Sequence, residues 1–284
     1  MLDKLFVLVQ HVLPQHELSR WVGWLAETRI TWLKDWLIAA FIKQYRVEMS
    51  EAANPNPRAY ENFNSFFTRA LAEGQRPLAG NDASLISPAD GAISQIGNIS
   101  QGRIFQAKGQ YFSAAELLGG PPEQVSAYNN GRFATIYLSP RDYHRVHMPL
   151  AGTLTSMTYI PGQLFSVNTT TAEQVPRLFA RNERLVCHFD TAAGPMALVM
   201  VGAMIVAAIE TVWAGQVAPP PRTIVTTNYD PKNMAIELNR GDEMGRFKLG
   251  STVILLFPED SIQWSEDLVA GSPVRMGGAL GSIS

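Results

Sequence analysis

The chain has 284 residues, of which 46% are hydrophobic and 17% charged, and its formal net charge is −2. That is enough apolar material for one large domain or two ordinary ones, and it excludes a disordered chain. There is no basic footprint for a nucleic acid, and a single cysteine, Cys187, excludes an internal disulfide and suits a reducing compartment.

Three helix-like pieces open the chain: DKLFVLVQHVL, then HELSRWVGWLAE after Pro14, then ITWLKDWLIAAFIKQY. In the third, Ile30, Leu33, Leu37 and Phe41 recur at helical spacing, with Ile38, Ile42 and Tyr45 beside them and Lys34, Asp35, Lys43 and Gln44 as polar positions. Four of the six tryptophans, Trp21, Trp24, Trp32 and Trp36, fall here. A spanning helix needs about 20 mainly apolar residues, and Pro14, Glu17, Arg20, Glu27, Arg29, Lys34 and Asp35 interrupt too often for that. A signal peptide fits poorly too, because Asp3 offsets Lys4 and no small-residue cleavage site follows. Residues 1–50 therefore read as amphipathic helices lying in a membrane interface, with Trp and Tyr at headgroup level. A helical cap packed on the remaining protein is the alternative. A further helix is expected over residues 60–73, with a core-packing role.

From about residue 84 the pattern changes to β-branched or alternating runs: FATIYLS, GTLTSMTYI, RLVCHFD, MALVMVGAMIVAAIE, RTIVTTNY and STVILLF. NNG, TAAGP, PPP and NRGD turn signals separate them. GQVAPPPRT, residues 215–223, reads as an extended, exposed linker. The fold class expected is α+β: N-terminal amphipathic, membrane-associated helices (1–50) followed by a β-rich body (51–284). Regular strand–helix alternation is lacking, which argues against a doubly wound nucleotide fold. Cys187, inside RLVCHF, reads as a buried apolar residue.

Of five histidines, His11 and His16 lie in the amphipathic region and His188 in a strand-like run. His144 and His147 stand in LSPRDYHRVHMPLAG, a dense polar cluster after a strand. With Asp90 the pair could chelate a metal, it could be ordinary surface, or it could supply a general base and acid. Spacing alone favours none of the three. Asp90, in SPADGAISQIG, is by itself a turn residue, and Gly250-Ser251, in FKLGSTVILLF, is by itself a hairpin or bulge. Together these segments offer Asp, His and Ser, the groups that activate a serine hydroxyl, but the G-x-S-x-G elbow is absent. A serine directly after an unhindered glycine has another option, attack on the carbonyl of that glycine. Effective molarities of about 10⁵ M or more are reached in well-oriented intramolecular attack.

LGST with the following VILLF, SPADG and SPRDYHRVHMP, taken in order, resemble the bacterial membrane-bound type of phosphatidylserine decarboxylase. The likeness extends over the N-terminal apolar helices and the FNSFFTRAL, PGQLFSVN, FARNER and IETVWAG stretches. The resemblance implies a precursor that cuts itself between Gly250 and Ser251 into a large β chain (1–250) and a small α chain (251–284). Asp90, His147 and Ser251 would act in the cleavage, with His147 as base oriented by Asp90, and Ser251 would become a pyruvoyl group. That cofactor would form a Schiff base with the headgroup amine of phosphatidylserine and accept the electrons left by CO₂, giving phosphatidylethanolamine. His144 is the candidate for the decarboxylation half. Arg141, Arg145, Ser166 and Asn168 are candidate lipid contacts. The resemblance further implies no metal and no pyridoxal phosphate, the two cleaved chains as partners, a homodimer, and a peripheral place on the cytoplasmic face of the cell membrane. Two other functions stand beside it. One is a serine hydrolase keeping Ser251 in an Asp90–His147–Ser251 triad; the other is a non-catalytic membrane-surface module.

Overall fold

The structure, a computed structural model, describes residues 2–204, 208–218, 223–230, 232–233, 235–248 and 251–284, with the side chains of 2–6, 218 and 251 outside the description. Three helices lead: Leu2–Val12 (α1), Gln15–Ala26 (α2) and Thr31–Tyr45 (α3), the last closed by Arg46 in a left-handed conformation. A short helix follows at Phe63–Phe67 (α4). The body then runs through Ser84–Ile86 (β1), Gly91–Asn98 (β2), the hairpin Arg103–Ala107 (β3) and Gln110–Ser113 (β4), and two short helices, Ala114–Leu118 (α5) and Pro122–Ser126 (α6). Next come Arg132–Leu138 (β5), Arg145–His147 (β6), Gly152–Ile160 (β7), Thr169–Gln174 (α7), Leu178–Arg181 (α8), Arg184–Thr191 (β8) and Gly194–Val201 (β9). The remaining strands are Ala208–Thr211 (β10), Gly215–Ala218 (β11), Val225–Asn228 (β12), Glu237–Leu238 (β13), Glu243–Lys248 (β14), Ser251–Phe257 (β15), Ile262–Trp264 (β16), Pro273–Val274 (β17) and Ala279–Ile283 (β18). Helices ahead of a β-rich body make the fold α+β.

The large sheet has the order β12-β7-β8-β9-β15-β5-β2-β17, with β13 also pairing β7. A four-stranded sheet, β11-β10-β14-β6, and a three-stranded one, β1-β18-β16, complete the body beside the β3–β4 hairpin. Along β15 the side chains divide between two cores: Val253, Leu255 and Phe257 join one, Ile254 and Leu256 the other. Both faces of the strand are therefore covered, which is why VILLF is continuously apolar rather than alternating. Each fully buried side chain of this kind contributes about 1.5–3 kcal/mol.

The N-terminal helices are docked on the body through polar groups. Gln15 Oε1 accepts from the backbone N–H of Leu164 (2.7 Å) and Gln10 Oε1 from that of Ser166 (2.8 Å), satisfying two buried donors. His16 Nε2 donates to the Gly162 carbonyl (3.0 Å), and the His11 ring packs 4.8 Å from that of Phe165. Gln10, Gln15, Ser19 and Lys34 face inward, while Trp21, Trp24, Trp32 and Trp36 are 63–72% exposed.

Several expectations are corrected. On α3 it is Ile38 that is fully buried, against Phe63, Phe66 and Phe67, whereas Ile30 is exposed. Lys34 is buried, because Asp35 (2.6 Å) and the Arg58 carbonyl (3.0 Å) take its ammonium. The helix expected over 60–73 spans only Phe63–Phe67. A reciprocal Asn62/Ser65 capping box starts it, and residues 70–72 leave it to bridge residues 51–53, through Ala53 N to Ala70 O and Ala72 N to Glu51 O. The run MALVMVGAMIVAAIE divides into β9 and β10 in different sheets, with 205–207 outside the described residues. Residues 215–218 of the expected linker are strand β11, and the three prolines at 219–221 lie outside the described residues.

His188, on β8, is buried beside the Tyr128 hydroxyl (3.4 Å), and burial pushes its imidazole down to about 4. The unfolded chain, with an ordinary pKa of about 6.5, binds this proton before the native state does. The stabilising contribution is thus present above pH about 6.5 and lost as pH falls through about 4. A melting temperature that declines from pH 7 to pH 5, and declines less steeply in His188→Gln, is the expected result; equal slopes would contradict it.

Candidate active site

Strand β5 ends at Leu138, and a tight turn follows. The Asp142 carboxylate accepts from both the backbone N–H and the hydroxyl of Ser139 (2.7 Å each), while Asp142 N donates to the Ser139 carbonyl (2.9 Å). Burial raises the Asp142 pKa against these lowering hydrogen bonds. The turn sends Tyr143 and His144 inward and starts β6, which pairs with β14 (Val146↔Gly245, Arg145↔Arg246).

His144 is fully buried with its ring 4.0 Å from that of Phe67 on α4. Its Nδ1–H donates to the Asp142 carbonyl (2.8 Å), and Nε2 has no partner. Burial pushes this imidazole down to about 3. It is therefore a neutral ring presenting a free lone pair. His147 is also buried: its backbone N–H donates to the Pro88 carbonyl (2.8 Å), its Nδ1–H to the Gly241 carbonyl (2.8 Å), and its Nε2 accepts from the Tyr143 hydroxyl (3.0 Å). Burial lowers its pKa, with the fields of Glu243 and Asp90 acting in the opposite direction.

Asp90 precedes β2, whose residues 92–98 pair with β5. Gly91 is required here, since a Cβ would lie 2.2 Å from the Tyr137 carbonyl oxygen. The carboxylate of Asp90 accepts from Arg76 Nε (2.9 Å), Arg76 Nη2 (2.5 Å) and the backbone N–H of Met276 (2.8 Å). Arg76 also holds Glu51 (2.7 Å). Among the described residues no hydrogen bond joins Asp90 to His147; Asp90 reaches the ring through its field.

Ser251 begins β15, paired with Leu138 of β5. The Ser251 side chain and Gly250 lie outside the described residues. Residues 249 and 250 join β14, in the smaller sheet beside the His144–His147 segment, to β15 in the large one. Phe247 N donates to the His144 carbonyl (3.0 Å), and Lys248 Nζ is held by Glu210 (2.7 Å) and Glu27 (3.5 Å). Asp90, the 139–147 segment and Ser251 thus meet at one end of neighbouring strands. With β5 between β2 and β15, the start of β15 is two strand spacings, about 10 Å, from β2.

Of the candidate lipid contacts, Arg141 is exposed beside Asp142 (3.8 Å). Arg145 is engaged by Glu243 (2.8 Å) and the Thr68 carbonyl (2.9 Å). Ser166 N donates to Gln10, and the Asn168 side chain caps α7 by accepting from Thr171 N (2.9 Å). No cluster of three His, Cys, Asp or Glu side chains suited to a metal is found among the described residues. Sequence reasoning missed Tyr143, Arg76, Phe67 and Arg69. A tyrosine four residues before a candidate base was the one local signal; the other three reach the site only through folding.

The family model described as phosphatidylserine decarboxylase matches residues 63–282, and one described as PSD matches residues 5–46. A phosphatidylserine decarboxylase proenzyme of Ectopseudomonas mendocina is 62% identical over 283 residues, 99% of each chain. One from Pseudomonas fluorescens is 60% identical over 282 residues, 99% of this chain and 98% of the relative. One from Azotobacter vinelandii is 58% identical over 285 residues, 100% of each. This chain belongs to the phosphatidylserine decarboxylase family.

Burial pushes the Tyr143 phenol up to about 12, so it remains the donor to His147 Nε2 and favours the neutral ring. In Tyr143→Phe that bond is gone, and the His147 pKa, followed by ring-nitrogen NMR, is expected to rise. An unchanged titration would show that the phenol does not set it.

Proposed function

We propose that this chain is a self-processing enzyme that converts phosphatidylserine to phosphatidylethanolamine and CO₂. The observation that carries the reading is the meeting of Asp90, His144, His147 and the start of β15 in a chain related over its full length to phosphatidylserine decarboxylase proenzymes. It divides into interface helices, residues 1–50, and a catalytic body, residues 51–284.

Processing begins when Ser251 Oγ attacks the Gly250 carbonyl. The amide C–N bond is exchanged for an ester, and the hydroxyl proton passes by way of His147 to the departing amine. His147 Nε2 is the basic atom, because Nδ1 keeps its hydrogen on the Gly241 carbonyl; it exchanges the Tyr143 hydroxyl for that of Ser251. Asp90, fixed by Arg76 and Met276 N, favours the charged imidazole that results. Loss of the Ser251 α-proton breaks the ester, leaving a carboxylate on Gly250 and dehydroalanine at 251. One water then replaces the nitrogen as ammonia and leaves a pyruvoyl group.

The residues present suit that group: it would head a strand paired on both sides, at the end of β5 where the turn leads into the segment carrying buried His144, whose Nε2 has no partner. A pyruvoyl carbonyl conjugated to the substrate amine supplies an electron sink for the bond to CO₂. His144, neutral and shielded from water, is placed to hold or return the proton that takes the carboxylate's position. Phe67 covers that ring and keeps bulk water from it.

Among the described residues no helix is long and apolar enough to cross a membrane. The outward tryptophans of α2 and α3, over an inner face of Gln15, Ser19 and Lys34, support seating at the headgroup level of the cytoplasmic leaflet.

Intact mass spectrometry tests the processing. The 31.3 kDa chain should divide into pieces of about 27.5 and 3.7 kDa, in proportion to 250 and 34 residues, the smaller one ammonia lighter than a serine-initiated peptide. A single intact mass that persists with phosphatidylserine vesicles would count against it and favour the hydrolase. Ser251→Ala should abolish cleavage and CO₂ release together. His144→Ala should be cleaved yet lose about 100-fold or more in turnover, in the range for a positioned acid–base group. Blocked cleavage in His144→Ala, with cleavage kept in His147→Ala, would reverse the two roles.

A further inference from the structure

A guanidinium folded away from water normally has its N–H groups satisfied, and Arg184 illustrates this. It is 3% exposed and among the described residues has no carboxylate partner, yet Nε, Nη1 and Nη2 donate to the carbonyls of Leu117, Asn182 and Glu116. Arg69 is as deeply buried, at 4% exposed, and is treated differently. Among the described residues its guanidinium makes one hydrogen bond, from Nη2 to the Arg141 carbonyl at 3.3 Å, while Nε and Nη1 have no partner. No ion pair to Arg69 is found among the described residues, and the Phe66 ring lies 5.5 Å from its Cζ. Burial pulls its pKa down. A buried cation so short of partners is destabilising until an anion joins it.

Its position says which anion. Three consecutive residues line the 141–145 segment: Phe67 against the His144 ring, the Thr68 carbonyl on Arg145, and Arg69 on the Arg141 carbonyl. The unpartnered donors of Arg69 and the unpartnered acceptor Nε2 of His144 therefore belong to the same wall. The headgroup of phosphatidylserine carries two oxyanions, a carboxylate and a phosphodiester. A charge-assisted bond to the carboxylate would be strongest before reaction and vanish with CO₂, so it would oppose the step it serves. A bond to the phosphodiester keeps its strength throughout.

We infer that Arg69 is the receptor for the substrate's phosphodiester, an assignment that rests on the decarboxylase reading above. Nε and Nη1 are the donors open to the incoming oxygen, while Nη2 keeps its long bond to the Arg141 carbonyl.

The test uses full-length Arg69→Gln and Arg69→Lys with phosphatidylserine in detergent micelles. Both variants should be cut like the wild type. For Arg69→Gln, KM should rise about 10- to 100-fold, the effect of one charge-assisted bond, with kcat within about threefold. Phosphatidylethanolamine, which lacks the carboxylate and keeps the phosphodiester, should weaken as an inhibitor by the same factor, and Arg69→Lys should fall between. A raised KM with unchanged inhibition by phosphatidylethanolamine would assign Arg69 to the carboxylate and overturn the inference. Unchanged KM would make the residue merely structural, and two uncut variants would place it in folding or processing; either result overturns it too. A wild-type chain that is cut but leaves phosphatidylserine intact would fail the functional reading instead.

Discussion

The seven-residue pairing of β15 with β5, from Ser251↔Leu138 to Phe257↔Arg132, is the constraint on which the site depends. It fixes the first residue of β15 at the point where β5 gives way to the Ser139–Asp142 turn, and so at the base of the segment that carries His144 and His147. Pairing of β2 on the other side of β5 brings Asp90 to the same end. A slip of one residue would turn Val253, Leu255 and Phe257 out of their core and move Ser251 with them. The hydrophobic effect thus sets a chemical register: two apolar cores, one on each face, hold the strand where the chemistry needs it.

The helices bury a mixed face. Beside apolar Val7, Ala26 and Ile38, their inner sides carry glutamine, serine and lysine, with Gln10 and Gln15 completing backbone donors and Lys34 the Arg58 carbonyl, and their outer sides carry the tryptophans. Polar groups work well in that inner seam because each has a specific partner, and the aromatic side stands exposed. Lys248 and Glu27 connect the region to the end of β14, so the helices and the strand that leads into β15 share an ion pair.

Much of this was legible in the sequence. VILLF declares a strand buried on both faces, the turn signals bound the strands closely, and the three helices fall within a residue or so of their patterns. Periodicity did not say which side of α3 meets the protein, since that depends on partners such as the Arg58 carbonyl, and Lys34 looked like a solvent position. It also overextended α4, because the pull of residues 51–53 on 70–72 is a tertiary effect. At the site, the chemistry-bearing types were readable, but their pairings were not. Asp90 meets Arg76 rather than His147, and Tyr143 occupies the atom expected to act as base. Arg69 looked like any arginine of the helix expected over 60–73; only burial with Nε and Nη1 unpartnered among the described residues distinguishes it.

The placement of β15 has a consequence for the life of the molecule after a cut ahead of Ser251. The released piece would comprise β15 to β18, and these strands lie in two different sheets, one of them at the centre of the larger. Along β15 seven ladder partners on β5 and five on β9 would still belong to the other piece, so leaving would mean tearing open the middle of the protein. Two chains in the covalent sense would remain one body in the mechanical sense, and neither could be exchanged for a fresh copy. Each molecule would carry for its lifetime the one reactive group it made, and damage to that group would retire the whole protein.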